Sequence, residues 1–173
     1  MKYSCPPLSR KQIREYARCI RRALKIEGLL WFPVEQFLET LHLLTNDEDL
    51  YFQIIPDDEW NQPPNRHAYF DLNDDCIYIK ESIYVGACNG NGRDRMTIVH
   101  ECAHVLLIRH SHLTLARSFD DDIPIYCDPE WQAKCLAGEL MVPADRVQGI
   151  SASDVSARCG VSKEAARYQL NKI

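Results

Sequence analysis

Apolar residues recur at helical spacing in the first third of the chain. Ser9 followed by Gln12 is a capping-box pattern, in which each side chain pairs with the backbone N–H of the other residue. This pattern predicts a first amphipathic helix that ends before Gly28, with an apolar stripe of Ile13, Tyr16, Ala17, Ile20 and Leu24. A second helix is predicted after Pro33, with an apolar stripe of Val34, Phe37, Leu38 and Leu41.

The middle of the chain has a pattern typical of short strands. The segments LYFQII at 50–55 and CIYIK at 76–80 are rich in β-branched and aromatic residues. The turn-forming stretches NQPPN and DLNDD lie between them. We therefore expect a small antiparallel sheet in this region.

Helical signals return after the glycine-rich turn NGNG at 89–92. Asp94 is placed to cap a helix that runs over 95–109. The central part of this segment, MTIVHECAHVLLI, is apolar on nearly all sides, which predicts a buried helix.

The remaining sequence predicts three further helices. Asp128 and Pro129 form a good N-cap and first-turn pair for a helix that Pro143 ends. The segment 151–173 has the pattern of two short helices around Gly160. The predicted order is helices, sheet and helices again.

Composition is that of an ordinary globular protein, with 46% hydrophobic and 26% charged residues. No stretch approaches the roughly 18 apolar residues that cross a membrane, so no membrane span is expected. Lys and Arg interrupt each apolar run of the first helix, so no secretory signal is expected either. The eight cysteines form no C-x-x-C pair, which favours reduced thiols and a cytoplasmic location.

Charge is distributed unevenly along the chain. The net charge is −5, yet residues 1–25 contain eight Lys or Arg against one Glu, which leaves about −12 for the rest. A basic helix could bind nucleic acid or an acidic partner. A solvated helix face is the more common explanation of such a run, and we favour it.

Residues 100–104 read HECAH, an H-E-x-x-H motif on the predicted buried helix. His100 and His104 are separated by one helical turn and lie on one face, so both imidazoles can reach a single zinc ion. Glu101 is about 100° around the helix, outside the ligand set but near enough to take a proton from an attacking water.

The alternative for this motif is a helix that merely exposes a polar edge. Burial of unpaired His and Glu side chains would cost free energy, and a shared metal ion removes that cost. We therefore interpret His100 and His104 as ligands of one zinc ion, although the same donors also suit Mn, Fe, Co and Ni.

A catalytic zinc usually has three protein ligands and an open position. The candidates for the third ligand are His110, His112, the acidic run 120–122 and Glu130. Glu130 is favoured because Ala133 and Ala137 share its helix face, and two alanines let that helix approach the H-E-x-x-H helix closely. An oxyanion stabiliser could come from Tyr126, His110 or His112.

Two motifs together resemble the ImmA/IrrE-type metallopeptidases. RMTIVHECAH at 95–104 is similar to the family pattern R-F-T-x-A-H-E-x-x-H. EWQAKCLAGELMVP at 130–143 is similar to E-x-x-A-x-x-F-A-x-x-L-L-M-P, in the same order and spacing. The departures are apolar exchanges at Met96, Leu136 and the Met141–Val142 pair, and none removes a ligand.

The resemblance implies roles for individual residues. His100, His104 and Glu130 would be the metal ligands, and Glu101 would be the catalytic base of a zinc endopeptidase. Family members are typically paired with a helix-turn-helix repressor of a phage or mobile element, which implies a protein substrate of that kind.

The segment 154–170 has helix-turn-helix character, with a glycine turn and a Val-Ser pair before the second helix. Its basic residues only slightly outnumber its acidic ones, so it lacks the cluster of Lys and Arg that binds DNA phosphates strongly. A structural or substrate-docking role is favoured over direct nucleic-acid binding.

We therefore expect an α+β fold in which a small antiparallel sheet packs on a zincin-like pair of active-site helices. The expected domains are a zinc metallopeptidase domain at 1–150, which includes N-terminal helices at 9–45, and a small helical appendage at 151–173. The alternative function is a DNA-binding or adaptor-type transcription regulator with a structural or inactive metal site.

Overall fold

The protein, represented by a computed structural model, is α+β, and the structure describes residues 2–110, 116–118 and 123–173. The side chains of residues 2, 3, 110 and 116–118 are not described. In chain order the elements are β1 Lys2–Ser4, α1 Arg10–Ala23, α2 Val34–Thr45, β2 Tyr51–Ile55, β3 Ala68–Asp71, β4 Cys76–Lys80, α3 Glu81–Cys88, α4 Gly92–His110, β5 Ala116–Ser118, a 3₁₀ turn Ile125–Cys127, α5 Pro129–Met141, α6 Ala152–Cys159 and α7 Lys163–Leu170.

The two N-terminal helices form where the apolar pattern predicts them. The Ser9 hydroxyl accepts a hydrogen bond from the Gln12 backbone N–H at 3.3 Å, and the Gln12 side chain accepts one from the Ser9 N–H at 2.9 Å. This confirms the capping box at the start of α1. The helix ends at Ala23, before Lys25 adopts a φ of 58°. The predicted apolar stripe of α2 is buried.

The predicted sheet exists, but its expected antiparallel pairing is wrong in part. The strand order is β2-β4-β3, with β2 parallel to β4 and β3 antiparallel to β4. The long connection over 56–67 takes the chain across β4, so that β3 forms a hairpin with β4 on its far side. Strands separated by a long connection can pair in either direction. The strand β3 and the helix α3 are not predicted by the sequence pattern.

The helix that contains the H-E-x-x-H motif begins earlier than predicted, at Gly92. Asn91, and not Asp94, caps it, because the Asn91 side-chain oxygen accepts from the backbone N–H groups of Arg93 at 3.0 Å and Asp94 at 3.2 Å. As predicted, α4 is buried on most sides, at Ile98, Val99, Cys102, Ala103, Val105, Leu106 and Leu107. No helix in the described ranges is both long and apolar enough to cross a membrane.

The basic charges of α1 are partly internal, which differs from the expected solvated face. Arg14 and Arg10 both pair with the buried carboxylate of Glu139 on α5, at 2.9 Å and 3.3 Å. Arg21 is 3% exposed and donates to the backbone carbonyls of Leu140, Ile26 and Leu29. These contacts fix α1 against α5.

The C-terminal segment forms the two predicted helices around Gly160, whose φ is +65°. The side chains of Ser151 and Ser162 cap α6 and α7 by accepting from the backbone N–H groups of Asp154 and Ala165. Three apolar side chains of the segment, Val155, Val161 and Ala166, belong to the main hydrophobic core.

A buried arginine ties α4 to two distant loops. Arg95 is 0% exposed, and its guanidinium donates to the Gly160 carbonyl at 3.0 Å and to the Phe32 carbonyl at 2.7 Å. The same group lies 3.8 Å from the centre of the Trp31 ring. Arg95 therefore links the start of α4 to the turn before α7 and to the loop before α2.

Replacement of this arginine by alanine should destabilise the protein. Arg95→Ala removes two hydrogen bonds from a charged donor and leaves a cavity beside Trp31, so we expect the free energy of unfolding to fall by about 2–4 kcal/mol. Urea denaturation followed by circular dichroism measures this change. The exposed Arg158→Ala variant is the control, with an expected change below about 0.5 kcal/mol. If Arg95→Ala proves as stable as Arg158→Ala, the contacts of Arg95 with the two loops do not stabilise the fold.

Candidate metal centre

Two imidazoles meet on one face of α4. His100 and His104 are one turn apart, and their Nε2 atoms lie 3.2 Å from each other. The two rings are nearly perpendicular, with an interplanar angle of 82°. Both side chains are partly buried, so the nitrogen atoms face the same confined space.

The carboxylate of Glu130 reaches the same space from the first turn of α5. Its two oxygen atoms lie 3.4 Å from His100 Nε2 and 3.2 Å from His104 Nε2. The position is fixed by the helix start, because the Asp128 side chain accepts from the Glu130 backbone N–H at 2.9 Å and Pro129 occupies the first turn. The three predicted ligands His100, His104 and Glu130, here called the trio, therefore converge at one point.

The trio is compatible with a bound metal ion. Its ligand atoms lie within 4.8 Å of one another. Hydrogen bonds from both imidazoles hold the pKa of Glu130 well below its usual range, so the carboxylate is ionised and able to ligate. Two imidazole nitrogens and one carboxylate are a donor set that suits zinc and related divalent ions.

Glu101 lies beside the trio and lines the same cleft. Burial raises the pKa of its carboxyl group, and the neighbouring imidazoles of His100 and His104 oppose that rise. A carboxylate whose pKa is raised by burial is better suited to accept a proton than an exposed one.

The other candidates for the third ligand lie beyond the side chains that the structure describes. His112 and the acidic run 120–122 lie outside the described residues. His110 is the last residue of α4, and its side chain is not described. Tyr126, a candidate oxyanion stabiliser, is 49% exposed and is not among the residues that line the cleft.

The cleft in front of the trio has a volume of about 740 Å³. One wall is formed by α4 and the start of α5, and the other by β3 with the preceding segment 63–67. The sequence does not predict this second wall, which includes His67 and Tyr69. Turn-forming residues on both sides favour a loop there, and the signal for a strand is limited to the short AYF run at 68–70.

Comparison with known proteins now identifies the family. Residues 58–171 match the family model Peptidase_M78, described as the IrrE N-terminal-like domain. The match includes the site and most of the fold from β3 to α7, so the chain belongs to this peptidase family and the resemblance to ImmA/IrrE-type proteins is confirmed. The chain matches no curated protein sequence.

The three convergent side chains should control metal content. We expect His100→Ala and His104→Ala to lose zinc during gel filtration, because each removes one ligand. Glu130→Gln changes a direct ligand. It should therefore weaken zinc binding by more than roughly 10- to 100-fold, which is the cost of losing a residue that only hydrogen-bonds to a ligand. Elemental analysis and competition with a zinc-binding dye measure the two effects.

The matched control for the metal measurement is His42→Ala, which removes a histidine of α2 that is not part of the trio. This variant should bind zinc like the wild type. Full zinc content in either alanine variant of the trio would exclude that histidine as a ligand.

Proposed function

We propose that the protein is a zinc-dependent endopeptidase that cleaves a protein substrate. The observation that supports this most strongly is the convergence of His100, His104 and Glu130, with Glu101 beside them on the same cleft. Membership of a peptidase family adds independent support. Glu101 argues against a purely structural metal, because a closed structural site needs no adjacent base.

In this proposal the chain's own residues move the proton. Zinc at the trio would act as a Lewis acid that polarises the peptide carbonyl and makes a water acidic at neutral pH. Glu101 accepts the proton of the attacking water while the water oxygen forms its bond to the carbonyl carbon. Glu101 then transfers that proton to the amide nitrogen as the C–N bond breaks. The cycle restores the ionised carboxylate.

The second wall of the cleft supports a peptide substrate. Among the residues that the structure describes, β3 pairs with β4 on one side and with no strand on the other side, which borders the cleft. The free edge of a strand offers backbone N–H and C=O groups to an extended chain, whatever the side chains of that chain are. An extended segment beside β3 would pass in front of Glu101 and the trio.

We further propose that the substrate is a helix-turn-helix repressor of a phage or mobile element. Family membership supports this, because the proteins that the chain resembles are typically paired with such repressors. Because a repressor acts on DNA in the cytoplasm, we place the peptidase in the same compartment.

The test compares wild type with Glu101→Gln on the repressor encoded beside this gene. Removal of the base should lower the cleavage rate by about 10²- to 10⁴-fold. Zinc content should stay unchanged, since Glu101 is not a ligand. Mass spectrometry of the cleaved repressor gives the rate and the cut position.

The exposed Glu48→Gln variant is the matched control and should cleave at the wild-type rate. If Glu101→Gln cleaves as fast as wild type, Glu101 is not the base. If wild type binds zinc and cleaves nothing, while the repressor is still inactivated by contact, the protein is an adaptor and the endopeptidase proposal is wrong.

A further inference from the structure

A second groove, of about 620 Å³, adjoins the catalytic cleft. Thr97 and His100 line both spaces, so the groove opens directly at the metal centre. It lies between α4, α5 and α7, and its lining is mainly apolar. The apolar residues that line it are Met96, Trp131, Ala137, Val142, Ala165 and Tyr168.

The groove extends away from the metal centre along two helices that run in opposite directions. On α5, the positions Glu130, Lys134 and Gly138 are one turn apart and share a face. On α4, His100 is at the near end of the groove and Arg93 is at the far end. The distance from Glu130 to Gly138 along the helix is roughly 12 Å, which is the length of about four residues of extended chain.

The walls of this groove are held by specific contacts. The guanidinium of Arg10 lies 6.0 Å from the Trp131 ring centre and 5.9 Å from that of Tyr168, and it is paired with Glu139 at 3.3 Å. Gly138 leaves room for the side chain of Gln169, because a Cβ there would lie 2.8 Å from its side-chain oxygen. A groove with fixed walls loses little entropy when it binds a ligand.

One polar group in the groove wall lacks a partner. Gln169 is 2% exposed, and its Nε2 has no hydrogen-bond partner among the described residues. An unpaired buried donor costs free energy. A backbone carbonyl that enters the groove could pair with this amide after a small side-chain rotation.

The rim of the groove carries more basic than acidic groups. Arg93 of α4, Lys134 of α5 and Glu164 of α7 are all exposed there. An apolar segment with an acidic side chain directed towards Lys134 would complement this rim.

We propose that this groove binds the part of the protein substrate next to the scissile bond. It selects segments with apolar side chains within about four residues of the cut and an acidic residue that faces Lys134. The inference rests on the proposed endopeptidase function and assigns to α7 a role in substrate selection.

The experiment uses the zinc-loaded protein and a proteome-derived peptide library, with cut sites identified by mass spectrometry. On one side of the cut, wild type should show enrichment of apolar residues and of Asp or Glu. Two fluorogenic peptides, one apolar and one polar at the enriched positions, then give a ratio of kcat/KM values. Ala165→Arg should fill the groove and lower this ratio by about tenfold or more.

Two further variants make the result independent of a folding defect. Lys134→Glu, at an exposed position, should reverse the preference for acidic over basic residues. The matched control Ala157→Arg places the same side chain at an exposed position of α6 outside the groove and should leave the ratio unchanged. Zinc content and thermal unfolding are measured for each variant.

The outcomes separate this inference from the function on which it rests. If zinc-loaded wild type cleaves no peptide and no repressor, the endopeptidase proposal fails and the groove proposal falls with it. If wild type cleaves without the apolar and acidic preference, or if Ala165→Arg and Lys134→Glu leave the preference unchanged, only the groove proposal is overturned.

Discussion

The close packing of α5 along α4 is the constraint on which the site depends. Ala133 and Ala137 are fully buried, so α5 presents small side chains where it approaches α4. This approach brings the first-turn carboxylate of Glu130 to the imidazoles of His100 and His104. In the proposed metal site, the H-E-x-x-H motif would supply two ligands from one helix, and the packing of the helix pair would supply the third.

Buried charged groups hold the surrounding elements against this helix pair. Arg95 links α4 to the turn before α7, and Arg21 donates to carbonyls at the end of α5 and in the loop after α1. The carboxylate of Glu139 on α5 forms ion pairs with Arg10 and Arg14 of α1. Because these buried groups pair with partners on other elements, loss of one partner would be costly. The same contacts hold α4 and α5, which form one wall of the cleft and two walls of the adjoining groove.

The parts of the fold that local chemistry determines could be predicted from the sequence. The cap at Ser9, the Asp128-Pro129 start of α5 and the turn at Gly160 are local signals, and the H-E-x-x-H spacing requires only a helix. The parallel pairing of β2 with β4 and the wall formed by β3 depend on how the segment 56–67 crosses the sheet. No local pattern encodes that path, and the groove beside α7 likewise exists only after three helices have packed.

The most direct test of the central claim is a zinc K-edge X-ray absorption spectrum of the purified protein. The account predicts a first shell of nitrogen and oxygen at about 2.0–2.1 Å, with the outer-shell scattering of two imidazoles. A sulfur shell at about 2.3 Å would mean that cysteines hold the metal, and this result would contradict the assignment of His100, His104 and Glu130 as its ligands.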